Sequence, residues 1–417
     1  MTTVESSYQE AAWSWLQHLH GGGTTPWREW VRQPDKHSDV RLPDARADAQ
    51  LPGAATLELL RRMAVAWPAE APGFSDLADV VLARSAPGRG LGRQPLCWPG
   101  EIAAPIGPPA VDPTEVPPRE LVRGAVGALA ELLLASPDGG DLSTPRRRGL
   151  IGRSPAFRLD GAPITVAATQ LALARSGHRE GGRNPRVLVF AVSFDHALQQ
   201  AWSARVQRGS KAPWPRFVGR WAGRDRLPPS TDLPRLLRRW RDRVGGDRVH
   251  LVVLPEQAHG LDPAVALLGL PAPTTPPRRW RALPRPALQP RFGELGAEAV
   301  DLARRVNAVL DVRVAGERRD RLTRLLVSGL ANDEGGTVGV AVPHEHRAWV
   351  SERAARIVGE IRARGYEVHG ELDDLMPSFD AGRMRPRIGA VLELAVQTCV
   401  SQARMNQEMP RTRGSVR

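Results

Sequence analysis

Lysine is almost missing from this 417-residue chain, for Lys36 and Lys211 are the only lysines among 58 basic residues. A Walker-type phosphate loop needs a lysine after its second glycine to reach the terminal phosphates. Neither lysine stands in such a loop, so ATPase chemistry of that kind is excluded. Cysteine is equally scarce. Cys97 and Cys399 supply no disulfide framework and no zinc cluster, and both read as core thiols. No apolar run approaches the roughly 20 residues of a bilayer span. The opening MTTVESSYQEAAWSW lacks the basic stretch and apolar core of a signal peptide. The expectation is a cytoplasmic protein without a membrane partner. No H-E-x-x-H, no G-x-S-x-G and no G-x-G-x-x-G after a predicted strand occurs, and Gly88–Gly92 is a loop without dinucleotide spacing. Zincins and α/β-hydrolases are set aside, and no metal is expected.

What is present is an ordinary globular composition, 41% hydrophobic and 25% charged, over a length that suits two or three domains. The cations are nearly all arginine. Arginine's planar fork suits phosphate and sulfate, although a GC-rich genome yields the same bias. The net charge of +13 is local. Residues 201–250 hold thirteen Lys/Arg against four acids, and Pro271–Arg291 adds five arginines with no acid. Trp202, Trp214, Trp221, Trp240 and Trp280 are interleaved with them. Three readings remain open: solvated arginines over a tryptophan core, a phosphate or sulfate site, or a nucleic-acid surface.

Apolar periodicity predicts helices at Ser6–His20, a short one after a Thr25 cap, Leu51–Trp67, Phe74–Arg84 and Leu121–Ala135. Residues 99–118, dense in proline and glycine, read as a loop. From about residue 155 strand and helix alternate: Ala156–Leu159, Thr165–Ser176, Arg186–Val192, Phe194–Val206, Leu233–Val244 and Val249–Leu254. The continuous apolar runs RVLVFAV and VHLVVL predict buried parallel strands. Helices follow at Leu295–Leu310, Arg318–Leu330, His346–Arg364 and Ile388–Met405, with Tyr366–His369 as a strand or extended segment. The predicted class is α/β, a central parallel sheet flanked by helices. The predicted division is a mainly helical domain at 1–149, an α/β domain at 150–408 and a disordered tail at 409–417.

The stretch RVLVFAVSFDHALQQAW, then SKAPWPRFVGRW, LPRLLRRWRDRVGGDRVHLVVLP, ALLGL, FGELGAEAVDLARRVN and WVSERAARIVGEIRARGYEVHGELDDL, resembles bacterial sulfotransferases of the actinobacterial type, in the order that family uses. The resemblance spans roughly Phe157 to Leu375. It implies a sulfotransferase-like sheet and phosphoadenosine phosphosulfate (PAPS) as sulfuryl donor. The donor loop, approximately P-K-T-G-T-T in the family, falls on Gly161-Ala162-Pro163-Ile164-Thr165-Val166-Ala167-Ala168-Thr169. That makes Gly161, Pro163, Thr165 and Thr169 the candidate donor-binding residues. Ile164 stands at the lysine position and Val166 at the glycine position, and Val192 and Gln200 replace an arginine and a serine that grip the other phosphate. A family-type base is a histidine or carboxylate, for which His196 and His178 are the candidates, with His250 also flanking a strand. Arg205, Arg208, Arg238 and Arg239 are the candidate anion ligands. His344-Glu345-His346 and Asp373-Asp374 read as loops.

The sequence thus predicts a sulfotransferase-like protein with a modified anion or nucleotide site, which if active transfers a sulfuryl group from PAPS to a hydroxyl. The non-catalytic version of that reading is preferred, because the phosphate ligands are lost. The alternative is a non-enzymatic protein whose Arg/Trp belt binds a polyanion or nucleic acid.

Overall fold

The computed structural model describes residues 3–33, 51–83, 94–97, 110–136, 156–255, 258, 260–270, 295–331, 339–379, 382–383 and 385–408. The Gly88–Gly92 run, the Pro271–Arg291 arginines with Trp280, and the tail from 409 lie outside the described residues. In chain order the helices are α1 (Thr3–His20), α2 (Trp27–Trp30), α3 (Ala54–Ala66), α4 (Phe74–Ala83), α5 (Pro118–Ala135), α6 (Pro163–Arg175) and α7 (Phe194–Val206). Then come α8 (Trp214–Ala222), α9 (Leu233–Val244), α10 (Leu261–Leu268), α11 (Ala297–Arg313), α12 (Gly316–Leu330), α13 (Arg347–Arg364) and α14 (Ile388–Glu408). The strands are β1 (Phe157–Gly161), β2 (Arg186–Ala191), β3 (Val249–Val253) and β4 (Glu367–His369).

The chain forms two compact units. One comprises Met1–Gly139, Ala308–Ala315 and Arg387–Arg417; the other comprises Gly140–Asn307 and Gly316–Pro386. The stretch read from sequence as one domain, 150–408, is therefore divided, and α14 groups with the N-terminal helices.

In the first unit α5 is buried on almost every side, through Leu121, Val122, Ala125, Val126, Leu129, Leu132 and Leu133, so its partners surround it. Helix α14 lies along it and contributes Val391, Leu392, Ala395 and Cys399. Two polar ties fix the register: Gln402 Nε2 donates to Ser136 Oγ at 3.0 Å, and Asn406 Nδ2 donates to the Leu132 carbonyl at 2.8 Å. The entry to α2 differs from the Thr25 cap the sequence predicts. Pro26 takes the cap position, and Thr25 Oγ1 lies 3.1 Å from His18 Nε2 instead. Of the two thiols read as core, Cys399 is fully buried while Cys97 is half-buried. Burial pushes the Cys399 thiol up, because the thiolate loses its hydration. Iodoacetamide should therefore label Cys97 first and leave Cys399 untouched until the protein unfolds; equal labelling of both in native mass spectrometry would contradict this packing.

The second unit contains the predicted parallel sheet, of four strands in the order β1-β2-β3-β4. Side chains alternate between its faces. Phe157, Leu159, Leu188, Phe190 and Val252 pack with Leu173 of α6 and with Ala264 and Leu268 of α10. Truncating the fully buried Phe190 to alanine would cost about 3–5 kcal/mol. On the opposite face Asp160 accepts hydrogen bonds from Trp240 Nε1 at 2.8 Å and Arg239 Nη2 at 2.6 Å, which docks α9. Gly161 ends β1 at φ 107°, where a Cβ would stand 2.1 Å from the Phe190 carbonyl oxygen. No other residue fits that approach. Among the described residues strand order follows chain order without reversal, so these four strands form no switch point of the kind that holds ligands in doubly wound folds.

A tether joins the α8–α9 loop to α13. Asp225 accepts from Arg353 Nε at 3.0 Å and Trp349 Nε1 at 3.1 Å. The Arg353 hydrogen bond, seconded by Trp349, holds its carboxyl below the usual carboxylate range. The tether's contribution is thus complete above that range and is lost as pH falls through the lowered value. Urea unfolding at a series of pH values should show Asp225→Asn weaker than the parent near neutrality, the difference shrinking in acid.

Candidate functional site

Helix α6 begins directly after β1, with Ala162 at its cap and Pro163 in the first turn. Alanine offers no capping side chain, so the first amides need another acceptor. Gln200, from the middle of α7, supplies it. Its Oε1 accepts from Ile164 N–H at 3.1 Å, Thr165 N–H at 3.2 Å and the Thr165 hydroxyl at 3.3 Å. Its Nε2 lies 2.9 Å from Thr165 Oγ1. The place where the resemblance puts a donor phosphate is therefore filled by a carboxamide of the chain itself.

The other donor-loop candidates are equally occupied. Gly161 is the last residue of β1, and Pro163 fits the first turn because its missing N–H costs nothing there. Thr169 is buried, donates to the Thr165 carbonyl at 2.9 Å and packs against Gly260. The Ile164 side chain is buried, and Val192 belongs to the core cluster. At this rim the apolar cavity lined by Ala162, Val192, Phe194, Ile357 and Leu375 leaves about 10 Å³, room for one water.

The histidines do not converge here. His196 lies in the first turn of α7, after β2, whereas His178 follows α6 at the opposite rim. Neither ring's Nδ1 has a hydrogen-bond partner among the described residues. Asp195 is buried beside His196, and its Oδ2 accepts from Phe379 N–H at 3.4 Å. A carboxylate in the first turn of a helix is favoured by the helix dipole, which accounts for it structurally. His344–His346 form a single 3-10 turn, and Asp373 pairs with Arg362 at 2.8 Å. His250 on β3 lies beside Glu367 and His369 of the neighbouring β4, and burial holds its imidazole below the usual range.

The four arginines separate into two groups. Arg239 pairs with Asp160 at 2.6 Å, and Arg238 approaches Glu360 at 3.9 Å, both on α9. Arg205 and Arg208 instead line an open cleft of about 850 Å³ between α7 and α8, joined by Lys211, Arg216 and Arg220. Five cations line it among the described residues, over a floor that includes Ala201, Phe217 and Trp221. A neighbouring groove shows the ordinary pattern, in which Arg226, Arg235, Arg353 and Arg356 face Asp225, Asp232 and Glu360.

The cleft's shape comes from local sequence. Helix α8 turns Trp214, Phe217 and Val218 inward and leaves Arg216 and Arg220 outward, one turn apart. The loop between the helices is held by Asn307, whose Nδ2 donates to the carbonyls of Val206 at 2.8 Å and Ser210 at 3.1 Å. Asn307 is itself fully buried and accepts from the Thr323 hydroxyl at 3.2 Å. Trp202 Nε1 donates to Ala212 and Trp214 Nε1 to Ala341, so both rings are core, as the first reading of the tryptophans expects. The sequence did not single out Lys211, Arg216 and Arg220 as ligands, and helix α8 was not predicted; the arginine spacing at 216 and 220 was the available signal.

No protein family, curated protein or solved structure matches the chain in comparisons of sequence and fold. The likeness to sulfotransferases therefore stands on the quoted residues alone.

Removing the Gln200 acceptor leaves buried amides unpaired, so Gln200→Ala should destabilise the fold by about 1–3 kcal/mol. It also frees an anion-attracting helix end. Inorganic phosphate should then raise the Tm of Gln200→Ala more than that of the parent in paired thermal melts.

Proposed function

We propose that this protein is a non-catalytic, sulfotransferase-like anion binder. Its ligand, a small molecule carrying phosphate or sulfate, is taken up by the α7–α8 cleft. The observation that carries this reading is the convergence of Arg205, Arg216 and Arg220, with Arg208 and Lys211, on one open cleft. Like charges one helical turn apart, such as Arg216 and Arg220, destabilise a helix by about 0.2–0.5 kcal/mol, and an anion between them removes that cost. A volume of about 850 Å³ suits a nucleotide-sized ligand.

The residues at the β1–α6 turn do not fit PAPS. An isoleucine cannot neutralise a phosphate, and Gln200 occupies the amides that would hold one. No sulfuryl transfer is assigned to that turn.

A nucleic acid is the second reading, favoured by the half-buried Trp221 in the cleft. Against it, Trp202 and Trp214 are each 2% exposed and offer no stacking platform.

Calorimetric titration of the full chain in low salt tests this. The desulfated donor nucleotide should bind at one site, and Arg216→Glu with Arg220→Glu should weaken binding at least about tenfold, through lost charge-assisted hydrogen bonds. Failure of phosphate and nucleotide alike, or unchanged affinity in the double variant, would overturn the assignment. Preference for a single-stranded oligonucleotide, with a log–log salt slope scaling with phosphates covered, would favour the second reading.

A further inference from the structure

We propose that His250, Glu367 and His369 form a binding site for a divalent transition-metal ion of the zinc class, at the edge of the sheet and separate from the anion cleft. The site arises from strand register. β4 carries Glu367 and His369 two residues apart, hence on one face. Parallel pairing sets His250 beside Glu367 and Val252 beside His369. His250 shares its face with Val252, the face covered by α6 and α10.

The geometry matches a metal's ligand shell. His250 Nδ1 lies 3.1 Å from Glu367 Oε1 and 3.2 Å from His369 Nε2. The third side, His369 Nε2 to Glu367 Oε1, is 3.3 Å. Ligand atoms about 2.0–2.1 Å from a tetrahedral ion stand roughly 3.3–3.4 Å apart, so the triangle is one face of such a tetrahedron. Two imidazoles with one carboxylate suit zinc, cobalt or nickel, whereas calcium and magnesium take oxygen ligands.

Hydrogen bonding alone accounts for the cluster less well. If both rings donate to Glu367, the two N–H groups oppose each other across 3.2 Å. If one ring donates to the other, the acceptor ring has no proton left for the carboxylate. Without a cation at most two of the three contacts are favourable, and a cation at the centre satisfies all three lone pairs. Access is also appropriate. The His250 side chain is 8% exposed and forms the back of the site, while Glu367 at 52% leaves the fourth position to water.

Two features lower the affinity. His250 Nε2 is buried with no acceptor among the described residues, and the positive charge of Arg186 acts on the same ring. An incomplete outer shell typically weakens a metal site about 10–100-fold. The site is therefore one of moderate strength, read by titration.

The full chain titrated with Co²⁺ should develop the intense visible bands of tetrahedral coordination at one equivalent, and Zn²⁺ should bleach them. His369→Ala and Glu367→Gln, both at partly exposed positions, should each weaken binding at least about tenfold with unchanged far-UV circular dichroism. His344→Ala, on a turn away from the cluster, serves as the control and should bind as the parent does. No cobalt spectrum in the parent, or unchanged affinity in both site variants, would overturn the proposal.

Discussion

A helix that follows a strand presents its first amides at the rim of the sheet, and those amides must be bonded to something. In this protein the acceptor is Gln200, reached from the next helix across 36 residues of chain. That single carboxamide takes the amides that an anion at this turn would use. A phosphate at the β1–α6 turn needs the same donors, and Gln200 holds those of Ile164 and Thr165. The packed apolar cavity beside it, with about 10 Å³ of room, follows from the same closure. Gln200 fixes α7 against α6, and α7 in turn carries Arg205 and Arg208 to its far end.

Charge therefore collects away from the strand ends. Helices α7 and α8 meet through Trp202 and Trp214, whose centroids are 5.5 Å apart, and their indole N–H groups are bonded to carbonyls. The tryptophans position the arginines instead of competing with them for a ligand. Asn307 completes this by bonding the carbonyls left over where α7 ends. A buried amide bonded on both sides gives a rigid loop, which keeps Lys211 and Arg208 in one place.

The sheet was legible from sequence because β2 and β3 are buried on both faces and read as unbroken apolar runs. Helices α6, α7 and α9 were legible through the alternation of strand and helix and their apolar pattern, with Gly177 closing the first. Helices α8 and α10 were not: each is short, and each contains a proline, Pro215 or Pro263, that reads locally as a break but lies in the first turn. The candidate site was half legible. Arg205 and Arg208 were chosen, but nothing local separates them from Arg238 and Arg239, which face Glu360 and Asp160. Gln200 stood out as a departure from the family pattern; its bond to α6 is a tertiary fact. The His250–Glu367–His369 triangle joins residues 119 apart through register on a three-residue strand, which no local pattern encodes.

The near-absence of lysine acquires a physical meaning in the cleft. Arginine stays charged at every pH at which the protein is folded, so four of the five cations lining the cleft hold a constant charge. These arginines add no pH dependence of their own near neutrality. A phosphate monoester gains its second charge near pH 6, whereas a sulfate monoester carries one charge throughout. A cleft of fixed charge binds the first more tightly as pH rises through that value and treats the second alike on either side of it. The composition that removed P-loop chemistry thus gives the cleft a means of distinguishing its two candidate ligand classes.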